Sequence, residues 1–380
     1  MTAYLLFDDA IRSVEMRHEV AEPVVDPVVF LEHDGTRIVV GSALERALFE
    51  KRDDLVDEFW DYHALGADEL LRDRTFPDSL IGAELVLRVL RKLAISAVSV
   101  PASFRILVAD YLRDNGVEVG VDVEAWSRRR RVKTPWEIEG IERAQRAAET
   151  AVLVAARMLR DAEPAGQEHL RFEGEILTAE LVREAMVAEL LAQGAESESI
   201  LIQSGEACLG GHDIGRGPIL PDRSCIIDCY PKDRRSGTYS DMTRTFVAGT
   251  PSSRLSELHA HCRAALDVAL QAIAPGRNDA YERVVAYFRA QGFPARTEVG
   301  APEPLKEGFF HSLGHGVGLE VHEKPWMGVR SDELVEGDVV AIEPGLYFPG
   351  VGGVRLEDTV LVTAGGVERF TDPYPYDLEP

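Results

Sequence analysis

The chain of 380 residues is 45% hydrophobic and 28% charged, the proportions of a soluble globular protein long enough for two domains. Its 41 Lys and Arg against 65 Asp and Glu leave a formal charge of −24, which disfavours a nucleic-acid backbone or an anionic membrane surface as partner. No run approaches the ~18 apolar residues of a membrane span, and the N-terminus, whose short apolar run meets Asp8 and Asp9, does not read as a signal peptide.

The first third reads as a small α/β domain. Residues 28–41, VVFLEHDGTRIVVG, are two apolar runs around Asp34-Gly35, a hairpin signature. LIGAELVLRVLRKL and ASFRILVADYLRDNG have helical character, and SAVSV and VEVGV read as strands. His18, His33 and His63 stand apart, as surface or packed residues. Residues 128–131, four arginines, read as a solvated linker with local ion pairs. Directly after them, Thr134-Pro135-Trp136-Glu137 has the pattern of a capping box with proline at the first helical position. Ile138, Ile141, Ala144, Ala148, Val152 and Ala155 continue at helical spacing. The boundary is therefore placed here, between an N-terminal α/β domain over 1–127 and a second domain over 128–380. Further helices are expected over 178–193, 253–274 and 279–291, each closed by Gly or Pro-Gly. His259 and His261, two apart on one helix, point in different directions and do not share a ligand. The four cysteines, Cys208, Cys225, Cys229 and Cys262, form no CxxC pair, so buried free thiols and a cytoplasmic protein are expected.

The chemistry-bearing residues gather in two strand-rich blocks. In SCIIDCYPKDRRSGTYSDMTRTF (224–246), folding about Arg234-Arg235 sets Asp228 opposite Asp241, Tyr230 opposite Tyr239 and Ile226 opposite Thr243. In VVAIEPGLYFPGVGGVRLEDTVLV (339–362), folding about Gly350 sets Glu343 opposite Glu357 and Tyr347 opposite Gly353. Like charges facing each other in a sheet are destabilising, and four converging carboxylates call for about two divalent cations. Between the blocks lies HSLGHGVGLEVHE, with His311, His315 and His322. Three glycines in this stretch disfavour a helix and point to a loop or strand edge where the backbone needs unusual freedom or close approach. Oxygen ligands with an imidazole suit manganese, cobalt, zinc or iron.

GHGVGLEVHEKP, VVAIEPGLY and GVRLEDTVLV, with IIDCYP and YSDMTRTF upstream, resemble the pita-bread metallopeptidases, the family of methionine aminopeptidase, aminopeptidase P, prolidase and the metal-free creatinase. The resemblance covers about residues 128–370. It implies an α+β fold, in which a pita-bread catalytic domain of two hairpin-bearing half-repeats, an antiparallel sheet covered by helices, follows a smaller creatinase-like α/β domain. It implies Asp228, Asp241, His315, Glu343 and Glu357 as ligands of two divalent ions, manganese first, with cobalt, zinc or iron as alternatives. Asp241 and Glu357 would bridge them. By the same resemblance His212 acts in the active site and lines the substrate site, His322 contacts the scissile carbonyl, and His311, Tyr347 and Arg355 border the substrate.

The implied reaction is hydrolysis of the bond before proline, as an Xaa-Pro aminopeptidase or dipeptidase. A hydroxide between the ions attacks, and Glu343 carries the proton to the leaving nitrogen. A small peptide with proline second is the implied substrate, and a homodimer the implied assembly. The alternatives are a hydrolase of another small amide or ester and a peptide-binding member without catalysis. Asp228 and Asp241 stand farther apart than the family's usual turn allows; the extra residues are expected to lengthen a polar tip, KDRRSGT, and to leave the ligands intact.

Overall fold

A computed structural model describes residues 3–50, 52, 54–166, 168–296, 305–370 and 375–380. The chain divides into two compact units, Met1–Arg130 and Arg131–Pro380.

In the first unit the hairpin forms as its sequence dictates. Strands Val28–His33 and Thr36–Gly41 pair antiparallel, and Asp34 and Gly35 both take the positive φ that a two-residue turn requires. A six-stranded mixed sheet runs in the order Glu58–Asp61, Thr36–Gly41, Val28–His33, Ala3–Asp8, Ala97–Val100, Glu118–Val121. Alternation along the strands loads both faces. Leu5, Val29, Leu31, Ile38 and Val40 pack with helices Ile81–Lys92 and Ile106–Asp114. Leu6, Val28, Phe30 and Val39 bury against Met16, Val20 and Trp126 on the other face. Each fully buried aliphatic of this kind contributes about 1.5–3 kcal/mol.

The arginine run holds the boundary between the two units, but it is helical and partly buried rather than a solvated linker. It ends the helix Val123–Arg131, because its guanidinium groups find carboxylates. Arg129 donates to Glu19 at 2.9 Å and to Glu32 at 2.7 Å, and Arg131 donates to Asp338 at 2.6 Å. With those charges matched, helical backbone carries no penalty of repulsion along the run.

The second unit is two similar halves. Helix Pro135–Arg160 starts at the full Thr134–Glu137 capping box, and Ala179–Ala192 is capped by Thr178. Their apolar faces cover the antiparallel sheet of Ile200–Ser204, Ser224–Cys229 and Met242–Val247. In the second half, helices Ser253–Ala272 and Ala280–Ala290 share a core with the strands that follow. Those strands form a sheet ordered Glu323–Met327, Gly314–Gly316, Val339–Ile342, Asp358–Thr363, Gly366–Arg369, with a two-stranded extension of Gly345–Phe348 and Gly352–Arg355.

The hairpin registers decide where the carboxylates stand. The second hairpin folds as expected: Tyr347 pairs Gly353 and Ile342 pairs Asp358, which leaves Glu343 and Glu357 facing each other just outside the paired residues. The first hairpin is shifted by two residues. Asp228 pairs Thr243, Ile226 pairs Thr245, and Tyr239 is bridged to Lys232 rather than facing Tyr230. The turn centres on Arg235-Ser236 because the Asp233 carboxylate accepts from Ser236 N at 2.7 Å and from its hydroxyl at 2.6 Å, while Gly237 takes φ +80°. Nor is that turn a loose polar tip. Asp233, Ser236 and Thr238 are buried, Arg143 clamps Asp233 at 2.9 Å, and the turn lies on the long helix at Gly140, where a Cβ would stand 2.0 Å from the Ser236 hydroxyl.

Candidate metal centre

Two of the three glycines of the histidine stretch, Gly314 and Gly316, are there for close backbone approach. Gly314–Gly316 is an interior strand, paired on both sides, rather than the expected loop or strand edge. A Cβ on Gly314 would stand 2.0 Å from the Ala341 carbonyl oxygen, and one on Gly316 would stand 2.2 Å from that of Lys324. Between them His315 projects into a cavity of about 810 Å³. The same cavity is lined by Asp228, Asp241, Glu343 and Glu357, and by His212, His311, His322, Tyr347 and Arg355. All ten residues expected from the sequence thus border one space.

Asp241, His315 and Glu357 each offer a ligand atom, all within 4.8 Å of one another, and all three residues are buried. His315 Nε2 is 3.7 Å from Asp241 Oδ2 and 4.0 Å from Glu343 Oε1. Asp228 Oδ2 accepts from the Arg355 guanidinium, and its Oδ1, like that of Asp241, is buried with no hydrogen-bond partner.

The imidazole state is fixed by its other nitrogen. Nδ1 lies 3.1 Å from the Gly316 carbonyl, which can only accept, so Nδ1 carries the proton. Burial and the neighbouring His322 push the His315 pKa down to about 3, so the ring is neutral. Nε2 therefore turns a lone pair toward carboxylates, at distances too long for hydrogen bonds. Burial and mutual repulsion raise Asp241 and Glu357 well above the usual carboxylate range, and burial raises Glu343 to about 7. Lone pairs and orphaned carboxylate oxygens converging in a buried site fit divalent cations, and the oxygen-rich set with one imidazole fits manganese, cobalt, zinc or iron.

The cluster is held by bonds between the two halves of the unit. Thr243 donates its hydroxyl to Glu357 Oε2 at 2.6 Å. Arg244, 1% exposed, donates to the Glu357 carbonyl at 2.7 Å and to Asp358 at 3.0 Å. Thr359 accepts from Asp241 N at 3.2 Å and donates to Asp241 O at 2.8 Å. Sequence reasoning gave none of these three residues a role in the site, although it placed Thr243 in the first hairpin. The available signal was period two, which puts Thr243 on the face of Asp241.

A second chain of bonds orders the cavity wall. Arg355 donates to Tyr347 Oη at 3.2 Å, Tyr347 donates to His311 Nε2 at 3.1 Å, and His311 Nδ1 donates to the Ser312 carbonyl at 2.7 Å. Burial lowers His311 to about 4, so it stays neutral. His322 lies edge-on to His315 with ring centroids 4.2 Å apart, and burial lowers its pKa as well. His212 stands at the cavity's exposed side. Phe310 and Trp326 also line it, and neither carried a sequence signal of its own.

The sequence model of metallopeptidase family M24 matches residues 139–364, more than half of the chain. The chain belongs to metallopeptidase family M24. The M24 chain is 33% identical over 256 residues to an Xaa-Pro dipeptidase of Pyrococcus furiosus, covering 63% of each. It is 41% identical over 134 residues to the Xaa-Pro dipeptidase of Pyrococcus horikoshii, 35% of each. It is 32% identical over 281 residues to a probable dipeptidase PepE of Mycobacterium tuberculosis, 74% of this chain and 68% of that protein. The matches to the first two span less than two thirds of those relatives' own length. Among solved structures, an Xaa-Pro dipeptidase from Bacillus anthracis superposes with a TM-score of 0.77 at 22% identity, over 99% of this chain and 94% of that one. An X-Pro aminopeptidase from Thermotoga maritima gives 0.74 at 20% identity, over 99% and 97%. At such identities the likeness establishes the fold, the M24 pita-bread fold preceded by a smaller α/β unit. Membership of M24 implies divalent metal ions.

Proposed function

We propose that this chain is a prolidase-type peptidase that hydrolyses the bond before proline in small peptides, using two divalent ions held by Asp228, Asp241, His315, Glu343 and Glu357. One observation carries the reading: a neutral His315 presents its lone pair to a buried carboxylate cluster with two unpartnered oxygens, in a cavity large enough for a peptide. The names of the relatives support proline as the second residue, and manganese is the ion favoured by resemblance. Four free cysteines, all buried, support work in the reducing cytoplasm.

When bound, divalent ions acidify water and polarise a carbonyl. The chain's own residues do the rest. Asp241 and Glu357, fixed by Thr359 and Thr243, keep the cluster's geometry preorganised. Arg355 holds Asp228 in place and, through Tyr347, sets His311 against the substrate. His322, neutral at pH 7, donates to the carbonyl oxygen as negative charge develops there. Glu343 takes a proton and passes it to the proline nitrogen as the C–N bond breaks. His212 closes the open side of the substrate site.

The test is hydrolysis by chelated and metal-restored protein of Xaa-Pro dipeptides, Xaa-Pro-Yaa tripeptides and Xaa-Ala controls, with bound metal counted in the same samples. Cleavage only before proline, restored by about two equivalents of manganese, supports the proposal, and the preferred length separates dipeptidase from aminopeptidase. Two bound ions with no peptide cleaved would move the assignment to another amide or ester; no metal and no cleavage would favour a binding protein.

A further inference from the structure

The stretch from His315 to Glu323 is tied down by an ion pair that the site does not use. Lys133 Nζ bonds Glu323 Oε1, with side chains only 2% and 6% exposed. Glu323 directly follows His322 in sequence. Its second oxygen accepts from Glu320 N at 3.3 Å, so one carboxylate closes the turn from below. The turn is pinned at its start as well: Gly318 N donates to Glu320 O at 3.1 Å, and Gly318 O accepts from Tyr239 N at 2.7 Å. Lys133 is held by its own backbone, whose N–H donates to Gly337 O at 3.3 Å. Space is reserved for the pair, since a Cβ on Gly318 would stand 2.8 Å from Glu323 Oε1 and 2.9 Å from Lys133 Cε. Strand pairing slips at the same place, from His315↔Trp326 to Gly316↔Glu323, so regular pairing does not set the position of His322.

We propose that the Lys133–Glu323 pair is a positioning device that aims the His322 imidazole into the peptide site. A buried ion pair is a poor stabiliser, because desolvation of both charges offsets their attraction, and apolar replacements of the pair are commonly neutral or better for stability. Its presence next to a histidine that lines the cavity is accounted for by the direction it gives that histidine. The inference rests on the role proposed above for His322, and its test is separable from that role.

The experiment compares wild type with Lys133→Met, Glu323→Gln, the double variant and Lys133→Arg. Two readouts are taken. In the chelated chain, histidine-selective NMR follows the His322 Cε1–H line, assigned by its loss in His322→Asn. In the manganese-loaded chain, kcat and KM on an Xaa-Pro dipeptide are measured with bound metal counted. Both single variants should shift or broaden the His322 line while the other histidine lines stay in place. They should lower kcat about ten- to a hundredfold, the size of effect that misplacement of a reacting group produces, with KM and metal content unchanged. The double variant should cost no more than either single one, and Lys133→Arg should retain most activity. Should the Met variant fail to fold, Glu323→Asp, which keeps the charge but withdraws it, gives the same readouts. An unmoved His322 line, or kcat within about twofold of wild type in both single variants, overturns the proposal. If the wild type cleaves no Xaa-Pro peptide, the functional reading falls and the NMR line alone decides the positioning.

Discussion

Asp241→Asn should change sign in its effect on stability when metal is removed. Without cations, Asp241 is a carboxylate only 4% exposed, with Oδ1 unpartnered and the Glu357 carboxylate within the same 4.8 Å cluster. Two unit charges at that separation repel by about 3–4 kcal/mol at an effective dielectric of about 20. Protonation relieves part of this. Burial holds Glu343 at about 7 against an ordinary 4.5, and burial with the Glu357 charge raises Asp241 well above its ordinary 3.8. A carboxylate with a raised folded pKa contributes stability that is whole below its unfolded pKa and is lost as pH climbs through the folded one. The chelated wild type should therefore weaken from about pH 4.5 through pH 7. Asparagine keeps the shape and removes the charge, so the chelated variant should be the more stable by about 2 kcal/mol at pH 8, with the gap closing toward pH 4. With manganese at a hundredfold over its Kd, the wild type gains about 2.7 kcal/mol and the variant little, and the order inverts. Urea unfolding of both proteins at the two pH values, with chelator or manganese, measures all of this. A chelated variant less stable than chelated wild type at pH 8 would refute the idea that the cluster is built around cations.

His322→Ala should retain bound metal and lose about a hundredfold in kcat, the usual loss on removing one donor to a developing oxyanion; metal counting beside single-turnover kinetics checks it. Gly314→Ala forces a Cβ to 2.0 Å from the Ala341 carbonyl, a backbone atom that cannot yield, and should cost at least about 2 kcal/mol together with metal affinity. Calorimetric titration of manganese into the purified variant reads that loss. Thr134→Ala removes the capping hydroxyl from the long helix and should lower stability by about 1 kcal/mol with metal content unchanged, measured by urea unfolding.

The elements legible in the sequence were those set by short-range chemistry. Thr134, Thr178 and Asp34-Gly35 announce helix starts and a turn that the backbone then forms. The glycine-flanked His315 was readable as close approach, and the Gly350 hairpin as its own register. The first hairpin misled because its turn is set by a side chain: Asp233, gripped by Arg143 from a helix 90 residues earlier, captures Ser236 and shifts the pairing by two. Arg128–131 misled for a related reason, since the carboxylates that neutralise the run are distant in sequence. Within the site, carboxylates and histidines were visible as residue types. Thr243, Arg244, Thr359 and Lys133 were not, because their function lies in whom they touch rather than in what they are.

The bonds that join the two halves span long stretches of chain: 114 residues from Thr243 to Glu357 and 118 from Asp241 to Thr359. Each half can complete its own hairpin and helix pair early, yet it then owns only part of the proposed ligand set. Loop closure over such distances is slow and comes late. Metal capture during refolding is therefore a stopwatch for the joining of the halves: helix signal should return first, and manganese uptake should start only when the seam closes.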